Sequence, residues 1–180
     1  MKRRSPPDDL PNPYHLLLRE LTRSGVDYIV IGVSGINYFA KDARQILSTA
    51  DYDLFLKPTP GNILIAWKVF RKSGYSVAVR EGDHRKPLRG VGSAAGARLV
   101  KEGRTMVAVG PYQLVVEGLL AVSGYTFDEL ERSAVWMRDR KLKFRFLVGS
   151  LADLLESKRI ANREKDRLFL ARYKRLLLDD

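Results

Sequence analysis

Two aspartates separated by a single residue lie just ahead of an apolar run in the first third of the chain. Asp51 and Asp53 flank a tyrosine, and residues 54–56 are all large and hydrophobic. In a β-strand the two acids would point to the same face, because side chains alternate along a strand. Two carboxylates on one face repel each other unless a cation lies between them. The stretch therefore predicts a strand that carries a divalent-metal site, with an ordinary solvated strand edge as the alternative.

Composition excludes several other kinds of site. The chain has 180 residues, of which 45% are hydrophobic and 29% charged, as in a globular domain with a substantial core. It has no cysteine, which excludes disulfides and thiolate metal sites, and its two histidines leave little scope for zinc. No apolar run approaches the roughly 20 residues of a membrane span, and the basic start lacks the apolar segment of a signal peptide. We therefore expect a cytoplasmic protein with no membrane partner, made of a flexible basic arm at 1–12 and a single domain at 13–180.

The chain carries a large excess of positive charge. Its formal net charge is +11 at pH 7 and its pI is near 10.0. Such an excess attracts polyanions at long range and favours nucleic acid, nucleotides or an acidic protein as partners. It could also serve solubility alone, so the charge by itself does not identify a function.

Hydrophobic periodicity and capping signals divide the domain into alternating strands and helices. Thr126 followed by Glu129 is a capping-box pattern, and Ser150 begins a long basic helix that forms a C-terminal helical part, 150–180. The charged and glycine-rich stretch 80–96 predicts a mobile loop. This order indicates the α/β (α+β) class, a mixed β-sheet with packed helices and a long C-terminal helix. The predicted strands are 26–31, 51–56, 75–79, 99–100, 106–109, 112–116 and 142–148, and the strands 99–100 and 106–109 are expected to form a hairpin. The predicted helices are 14–23, 36–40, 63–72, 127–134 and the C-terminal segment.

A glycine-containing turn, 32–35, directly follows the first predicted strand and precedes a short helix. Backbone N–H groups at such a turn, with the hydroxyl of Ser34 beside them, can bind a phosphate. Glycines also end many strands for conformational reasons alone, so both interpretations stay open. The strands at 26–31 and 51–56 would bring this turn close to the acidic pair.

A third acid, Glu117, follows the predicted strand 112–116 and can reach the aspartates from a neighbouring strand. Oxygen ligands favour Mg²⁺, which is commonly bound by a few carboxylates together with substrate phosphates. Two such ions about 3.5–4 Å apart can activate an attacking oxygen and stabilise a departing pyrophosphate. The arrangement therefore suits phosphoryl or nucleotidyl transfer.

The order of these motifs resembles that of the DNA polymerase β-like nucleotidyltransferase superfamily. The superfamily pattern is a strand, a Gly-Gly or Gly-Ser turn, a short helix, and Asp-x-Asp at the start of the next strand. Within it, the chain most resembles the minimal bacterial nucleotidyltransferases related to the AbiEii toxins. The segments that carry the resemblance are Gly32-Val33-Ser34-Gly35, Thr49-Ala50-Asp51-Tyr52-Asp53, 116–124 around Glu117, 126–130, 150–158 ending in Lys158, and 161–166 ending in Asp166.

The resemblance implies an enzyme that depends on Mg²⁺ or Mn²⁺ and transfers a nucleoside monophosphate from an NTP to a hydroxyl acceptor. The acceptor would be tRNA or another nucleic acid, or else a protein or a small molecule, and a toxin-like role would add an antitoxin protein as a partner. By this resemblance the metal-binding and catalytic residues are Asp51, Asp53 and Glu117, and the nucleotide-binding residues are Gly32, Ser34, Gly35, Thr49, Lys158 and Asp166.

Lys158 and Asp166 are predicted to lie two turns apart on one helix, so that both can face the sheet. As functional residues, the lysine would contact a nucleotide phosphate and the aspartate would orient the lysine. As structural residues, they would belong to a solvated charge pattern. The remaining basic residues of this helix are expected to form a solvated face that could also contact RNA.

Three positions depart from the family pattern. Val33 replaces the second turn glycine, Leu47 stands where an arginine is usual, and the third acid is a glutamate. The nearest arginine, Arg44, lies three residues before Leu47. These departures support a second hypothesis, in which the fold has lost its activity and serves as a binding module for nucleic acid or for a toxin–antitoxin partner.

Overall fold

The structure of the protein, a computed structural model, describes residues 12–178, with side chains up to residue 175. The expected basic arm therefore lies outside the described residues, apart from Asn12. No helix in the described range is both long and apolar enough to cross a membrane.

The helices are α1 (His15–Arg23), α2 (Gly32–Asn37), α3 (Pro60–Lys72), α4 (Ser93–Lys101), α5 (Phe127–Ser133), α6 (Leu151–Ala161) and α7 (Glu164–Leu178). The strands are β1 (Tyr28–Val30), β2 (Tyr52–Leu56), β3 (Ser76–Glu81), β4 (His84–Pro87), β5 (Met106–Val109), β6 (Val115–Leu119), β7 (Val135–Asp139) and β8 (Phe144–Val148).

Within the described residues, the strands form one mixed sheet in the order β4-β3-β5-β6-β2-β1-β8-β7. β1 is parallel to β8 and β2 is parallel to β6, and the remaining neighbours are antiparallel. The predicted fold class, a mixed sheet with packed helices and a long C-terminal helix, is confirmed. The acidic strand β2 lies near the centre of this sheet, between β6 and β1.

Strand β2 divides its side chains between two hydrophobic cores, one on each face of the sheet. Tyr52, Leu54 and Leu56 belong to the core that α1 and α3 cover, whereas Phe55 belongs to the core that α2, α5 and α6 cover. All four are buried, and burial of one such side chain contributes about 1.5–3 kcal/mol. Because side chains alternate, Asp53 points to the same face as Phe55, and so does its neighbour on β6, Glu117.

The stretch 80–96 is not a loop, and the predicted hairpin of 99–100 with 106–109 is wrong. β3 runs on to Glu81, β4 pairs with it, and residues 99–100 lie in α4. β5 pairs instead with β3 and β6. Every residue of β4 is exposed, so the strand shows no alternation of polar and apolar residues that the sequence could reveal. In α4 the alanines favour a helix, and only Gly96 and Leu99 are buried to mark its inner face.

The C-terminal segment is two helices rather than one. Asn162 adopts the left-handed conformation, with φ of 47°, and ends α6. Asparagine tolerates this conformation better than most residues, and the Arg167 guanidinium donates to its carbonyl at 2.7 Å. Lys158 and Asp166 therefore lie on different helices, α6 and α7, and not two turns apart on the same one.

Two further boundaries and one additional strand differ from the sequence-based expectation. Tyr112 and Gln113 have positive φ, so the sixth strand begins after them and Glu117 lies in its middle rather than beyond its end. Residues 32–35 form the first turn of α2 instead of a turn before it. β7 was not predicted, and it pairs with β8 as an antiparallel hairpin at the sheet edge. The predicted capping box of Thr126 and Glu129 is confirmed at the start of α5.

Candidate metal centre

Three carboxylates meet where β2 and β6 run side by side. Asp53 and Glu117 are direct partners in the parallel register, and Asp51 lies immediately before β2. One oxygen from each of the three lies within 4.8 Å of the others, and all three residues are half-buried. A donor set made only of carboxylate oxygens suits Mg²⁺ or Mn²⁺ rather than a softer metal. The residues present therefore fit the divalent ion that the sequence led us to expect.

Asp53 has a strongly raised pKa. Burial is the main cause, the negative charges of Asp51 and Glu117 add to it, and together they bring the pKa of this carboxyl to about 7. The charges of Lys158 and Lys165 oppose the rise but do not cancel it. The three acids thus hold excess negative charge in a half-buried place, which a bound cation would relieve.

Glu117 has a cationic neighbour that the sequence did not indicate. The Arg80 guanidinium on β3 donates to its carboxylate, across the width of β5. Burial raises the pKa of Glu117, and the charge of Arg80 partly offsets the rise. The two residues are 37 positions apart, and only the strand order brings them together. No local pattern in the sequence could have paired them.

Gly32 is required by the geometry of the acidic site. Its φ is +64°, and a Cβ atom at this position would overlap the Asp53 carboxylate. Only glycine adopts this positive φ without strain and has no Cβ atom to overlap the carboxylate. Gly32 and the neighbouring Val33 both line the cavity beside the acids.

Ser34 and Gly35 do not line that cavity. Ser34 is buried, and its hydroxyl donates to the Asp51 backbone carbonyl at 3.2 Å. Gly35 packs against Leu154 of α6 and the carbonyl of Val30, which leaves little room for a larger residue. These two residues connect α2 to the start of β2 and to α6.

Thr49 orients the first aspartate. Its hydroxyl lies 3.0 Å from Asp51 Oδ1 and 3.1 Å from the Asp51 carbonyl oxygen. A hydroxyl has one proton, so it donates to one of these acceptors at a time. Thr49 also lines the cavity, at the edge of the acidic site.

The two positions at which the resemblance led us to look for an arginine lie away from the cavity. Leu47, which stands at its position, is buried in the core, and its backbone makes two hydrogen bonds to the side chain of Asn37. Arg44 is exposed and pairs with Asp42 at 2.8 Å. Neither Leu47 nor Arg44 lines the cavity beside the acids.

A cavity of about 360 Å³ lies between the acidic strands and the two C-terminal helices. Its size falls within the range of small-molecule sites, about 300–1,000 Å³. The three acids come from the strand region, and the cations come from the C-terminal helical segment. The cationic wall consists of Lys158 from α6, Lys165 from α7 and Arg163 from between them. This division of charge suits a ligand that carries phosphates together with a divalent cation.

Asp166 forms ion pairs with two residues of the cationic wall. Its side chain is 1% exposed, and its carboxylate lies 3.4 Å from Lys158 Nζ and 2.6 Å from Arg163 Nε. Burial raises the pKa of Asp166, but the hydrogen bond from Arg163 and the charge of Lys158 outweigh it, so the pKa is below the ordinary value. The Lys158 ammonium also lies 4.6 Å from the Phe169 ring centroid. This buried pairing is not a solvated surface pattern, and it directs Lys158 along the cavity wall.

The chain matches no protein-family model and no curated protein. The residues of the cavity are therefore the basis on which a function is proposed.

Proposed function

We propose that this protein is a metal-dependent nucleotidyltransferase that moves a nucleoside monophosphate from an NTP to a hydroxyl acceptor. The observation that carries the proposal is the convergence of Asp51, Asp53 and Glu117 where the parallel strands β2 and β6 run side by side, in a cavity that the cationic wall also lines. The geometry suits phosphoryl or nucleotidyl transfer, and the resemblance of the sequence to the polymerase β-like superfamily favours nucleotidyl transfer between these two. The acids would supply the ligands for a divalent ion, and the cationic wall would supply positive charge for phosphates.

The residues of the site would have different roles in this reaction. Asp51 and Asp53 would hold Mg²⁺ or Mn²⁺, with Thr49 orienting Asp51. When bound, the metal would supply positive charge that favours the acceptor alkoxide and the departing pyrophosphate. Glu117, whose pKa is raised by burial, would complete the ligand set and take the acceptor proton. Lys158 would contact phosphate oxygens.

The acceptor oxygen would attack the α-phosphorus of the NTP. One P–O bond would form to the acceptor as the bond to the bridging oxygen of pyrophosphate breaks. The net charge of +11 favours tRNA or another nucleic acid as the acceptor, before a protein or a small molecule.

Transfer of a label from the α-phosphate tests this proposal. The protein is incubated with RNA, Mg²⁺ and an NTP labelled on either the α- or the γ-phosphate. We expect only the α-label to enter RNA, and we expect Asp51→Ala and Asp53→Ala to reduce its entry at least about a hundredfold. Glu131→Gln, which neutralises an exposed acid on α5, is the matched control and should retain full transfer. Equal labelling by wild type and both aspartate variants would contradict the proposal.

A binding module is the second candidate, and one contact favours it. The Arg80 guanidinium already donates to Glu117 and occupies part of the place that a metal ion would take. Thermal unfolding separates the two candidates. A rise in melting temperature with Mn²⁺ and NTP supports the enzyme, whereas RNA binding without any such rise supports the binding module.

A further inference from the structure

The β7–β8 hairpin at the sheet edge is a basic surface with an exposed tryptophan. Residues 135–148 contain five basic residues and one acid, Asp139. That acid lies 2.7 Å from the His15 ring, so it is engaged in an internal contact. The basic residues are Arg138, Arg140, Lys141, Lys143 and Arg145, and all five are exposed.

Trp136 is the most unusual side chain of this hairpin. It is 55% exposed, and the Arg145 guanidinium lies 4.4 Å from its ring centroid. The other tryptophan of the chain, Trp67, is half-buried and donates from its indole to the Leu88 carbonyl at 3.1 Å. A large aromatic ring exposed to water under a guanidinium presents a flat surface on which another planar group can stack.

Two arginines face each other beside this ring. Arg138 and Arg145 are direct cross-strand partners in the antiparallel register. Like charges at such a pair destabilise a hairpin. Among the described side chains, neither arginine lies within ion-pair distance of a carboxylate. An anion placed between them would relieve the repulsion.

Register places this surface on the same face of the sheet as the acidic site. Trp136 is opposite Leu147, Leu147 is opposite Ile29, and Ile29 is opposite Phe55, which lies on the same face as Asp53. Neighbouring strands are roughly 4.8 Å apart, so β7 lies about 15 Å from β2 across the sheet. Helices α2, α5 and α6 cover the sheet between the two places, so the hairpin surface is separate from the acidic site.

We infer that Trp136, Arg138 and Arg145 form a binding surface for single-stranded nucleic acid. A base stacks on the Trp136–Arg145 pair, and flanking phosphates lie between the two arginines. Sequence-independent binding of single strands combines these same two elements, an aromatic platform and backbone-tracking cations. A duplex would keep its base faces stacked internally and would offer the tryptophan none. The inference does not depend on catalysis.

Fluorescence of a variant with one tryptophan tests the stacking directly. Trp67→Phe leaves Trp136 as the sole tryptophan. In EDTA and without NTP, a short oligouridylate should quench this fluorescence in a saturable titration. In separate anisotropy titrations of a labelled oligouridylate, Trp136→Ala should weaken binding at least about fivefold, whereas Trp136→Phe should retain most of the affinity. Because metal and NTP are absent, the result is independent of the proposed transferase activity.

A charge-matched pair of variants tests the location. Arg138→Gln/Arg145→Gln and Arg71→Gln/Lys72→Gln remove the same charge, but the second pair lies on α3, on the opposite face of the sheet. We expect only the first pair to reduce the slope of log affinity against log salt, by about 1–2. Equal effects of both pairs, an unquenched Trp136, or an equally tight complex with duplex RNA would overturn the inference.

Discussion

Gly32 lies against the carboxylate of Asp53 so closely that a Cβ atom at position 32 would overlap a carboxylate oxygen. The acid belongs to β2 and the glycine to the start of α2, so this contact sets how near the helix lies to the acidic strand. The positive φ of Gly32 adds a second reason why no other residue fits. The position of one proposed metal ligand therefore depends on the absence of a side chain 21 residues earlier in the chain.

We expect Gly32→Ala to displace Asp53 and to weaken Mn²⁺ binding at least about tenfold, because a metal ligand must keep its position. The free energy of unfolding should fall by about 1–3 kcal/mol from backbone strain. Gly61→Ala is the control, since Gly61 lies in the first turn of α3 with open space around it. Alanine there should leave metal binding unchanged and should not destabilise the helix. Chemical denaturation and Mn²⁺ titration of both variants would check this, and equal metal affinity in both would contradict it.

The raised pKa of Asp53 predicts how stability depends on pH. An acid whose pKa is higher in the folded than in the unfolded state favours folding while it is protonated, and this contribution is lost as pH rises through about 7. In EDTA, the wild type should therefore lose on the order of 2 kcal/mol relative to Asp53→Asn between about pH 5 and pH 8. Saturating Mn²⁺ should abolish the loss, because the metal favours the ionised acid. Urea unfolding across this range measures the difference, and parallel curves for both proteins would refute the assignment.

Removal of Arg80 should strengthen metal binding. Arg80 donates to Glu117 and adds positive charge next to the acids, so it competes with a bound cation. We expect Arg80→Gln to raise Mn²⁺ affinity by about threefold to tenfold, while stability changes by less than about 1 kcal/mol because the arginine is half-exposed. Arg104→Gln, which removes an arginine paired with Glu102, is the matched control. Weaker Mn²⁺ binding by Arg80→Gln than by the control would show that Arg80 supports the site instead.

Asp166→Asn should remove the buried carboxylate that pairs with Lys158 and Arg163 of the cationic wall. The buried carboxylate is bound by Lys158 and Arg163, and its loss should cost about 1–3 kcal/mol of stability at neutral pH. Its pKa is lowered in the folded state, so the stabilisation is present above the ordinary aspartate range and is lost as pH falls below it. The variant and the wild type should thus converge in acid. Glu156→Gln, at an exposed ion pair on α6, should change stability little at any pH.

The acidic pair could be predicted from the sequence because its signal is local. Asp51 and Asp53 precede a fully buried run, 54–56, and the alternation of a strand is enough to put both acids on one face. Glu117 was found by the same kind of evidence, an acid at the end of a predicted apolar strand, although the strand begins later than predicted and Glu117 lies in its middle. The fold class followed from the order of the elements.

Three kinds of feature could not be predicted from the sequence: a contact between distant strands, a break between two helices, and the packing of one helix face. Arg80 reaches Glu117 only because β3 lies two strands from β6. The break at Asn162 follows from a single left-handed residue in a stretch without glycine or proline, where the helical pattern continues on both sides. The roles of Ser34 and Gly35 depend on which helix face meets β2 and α6, and the residue types alone allow either packing or phosphate binding.

Direct binding of Mn²⁺ tests the central claim, that Asp51, Asp53 and Glu117 form one divalent-metal site. Free Mn²⁺ can be followed by electron paramagnetic resonance as it is titrated into the protein at about pH 8, where Asp53 is mostly ionised. We predict saturable binding by the wild type and by the exposed-acid variant Glu131→Gln, with affinity reduced at least about tenfold in Asp51→Asn, Asp53→Asn and Glu117→Gln. Equal binding by all five proteins would show that the three acids do not hold the metal.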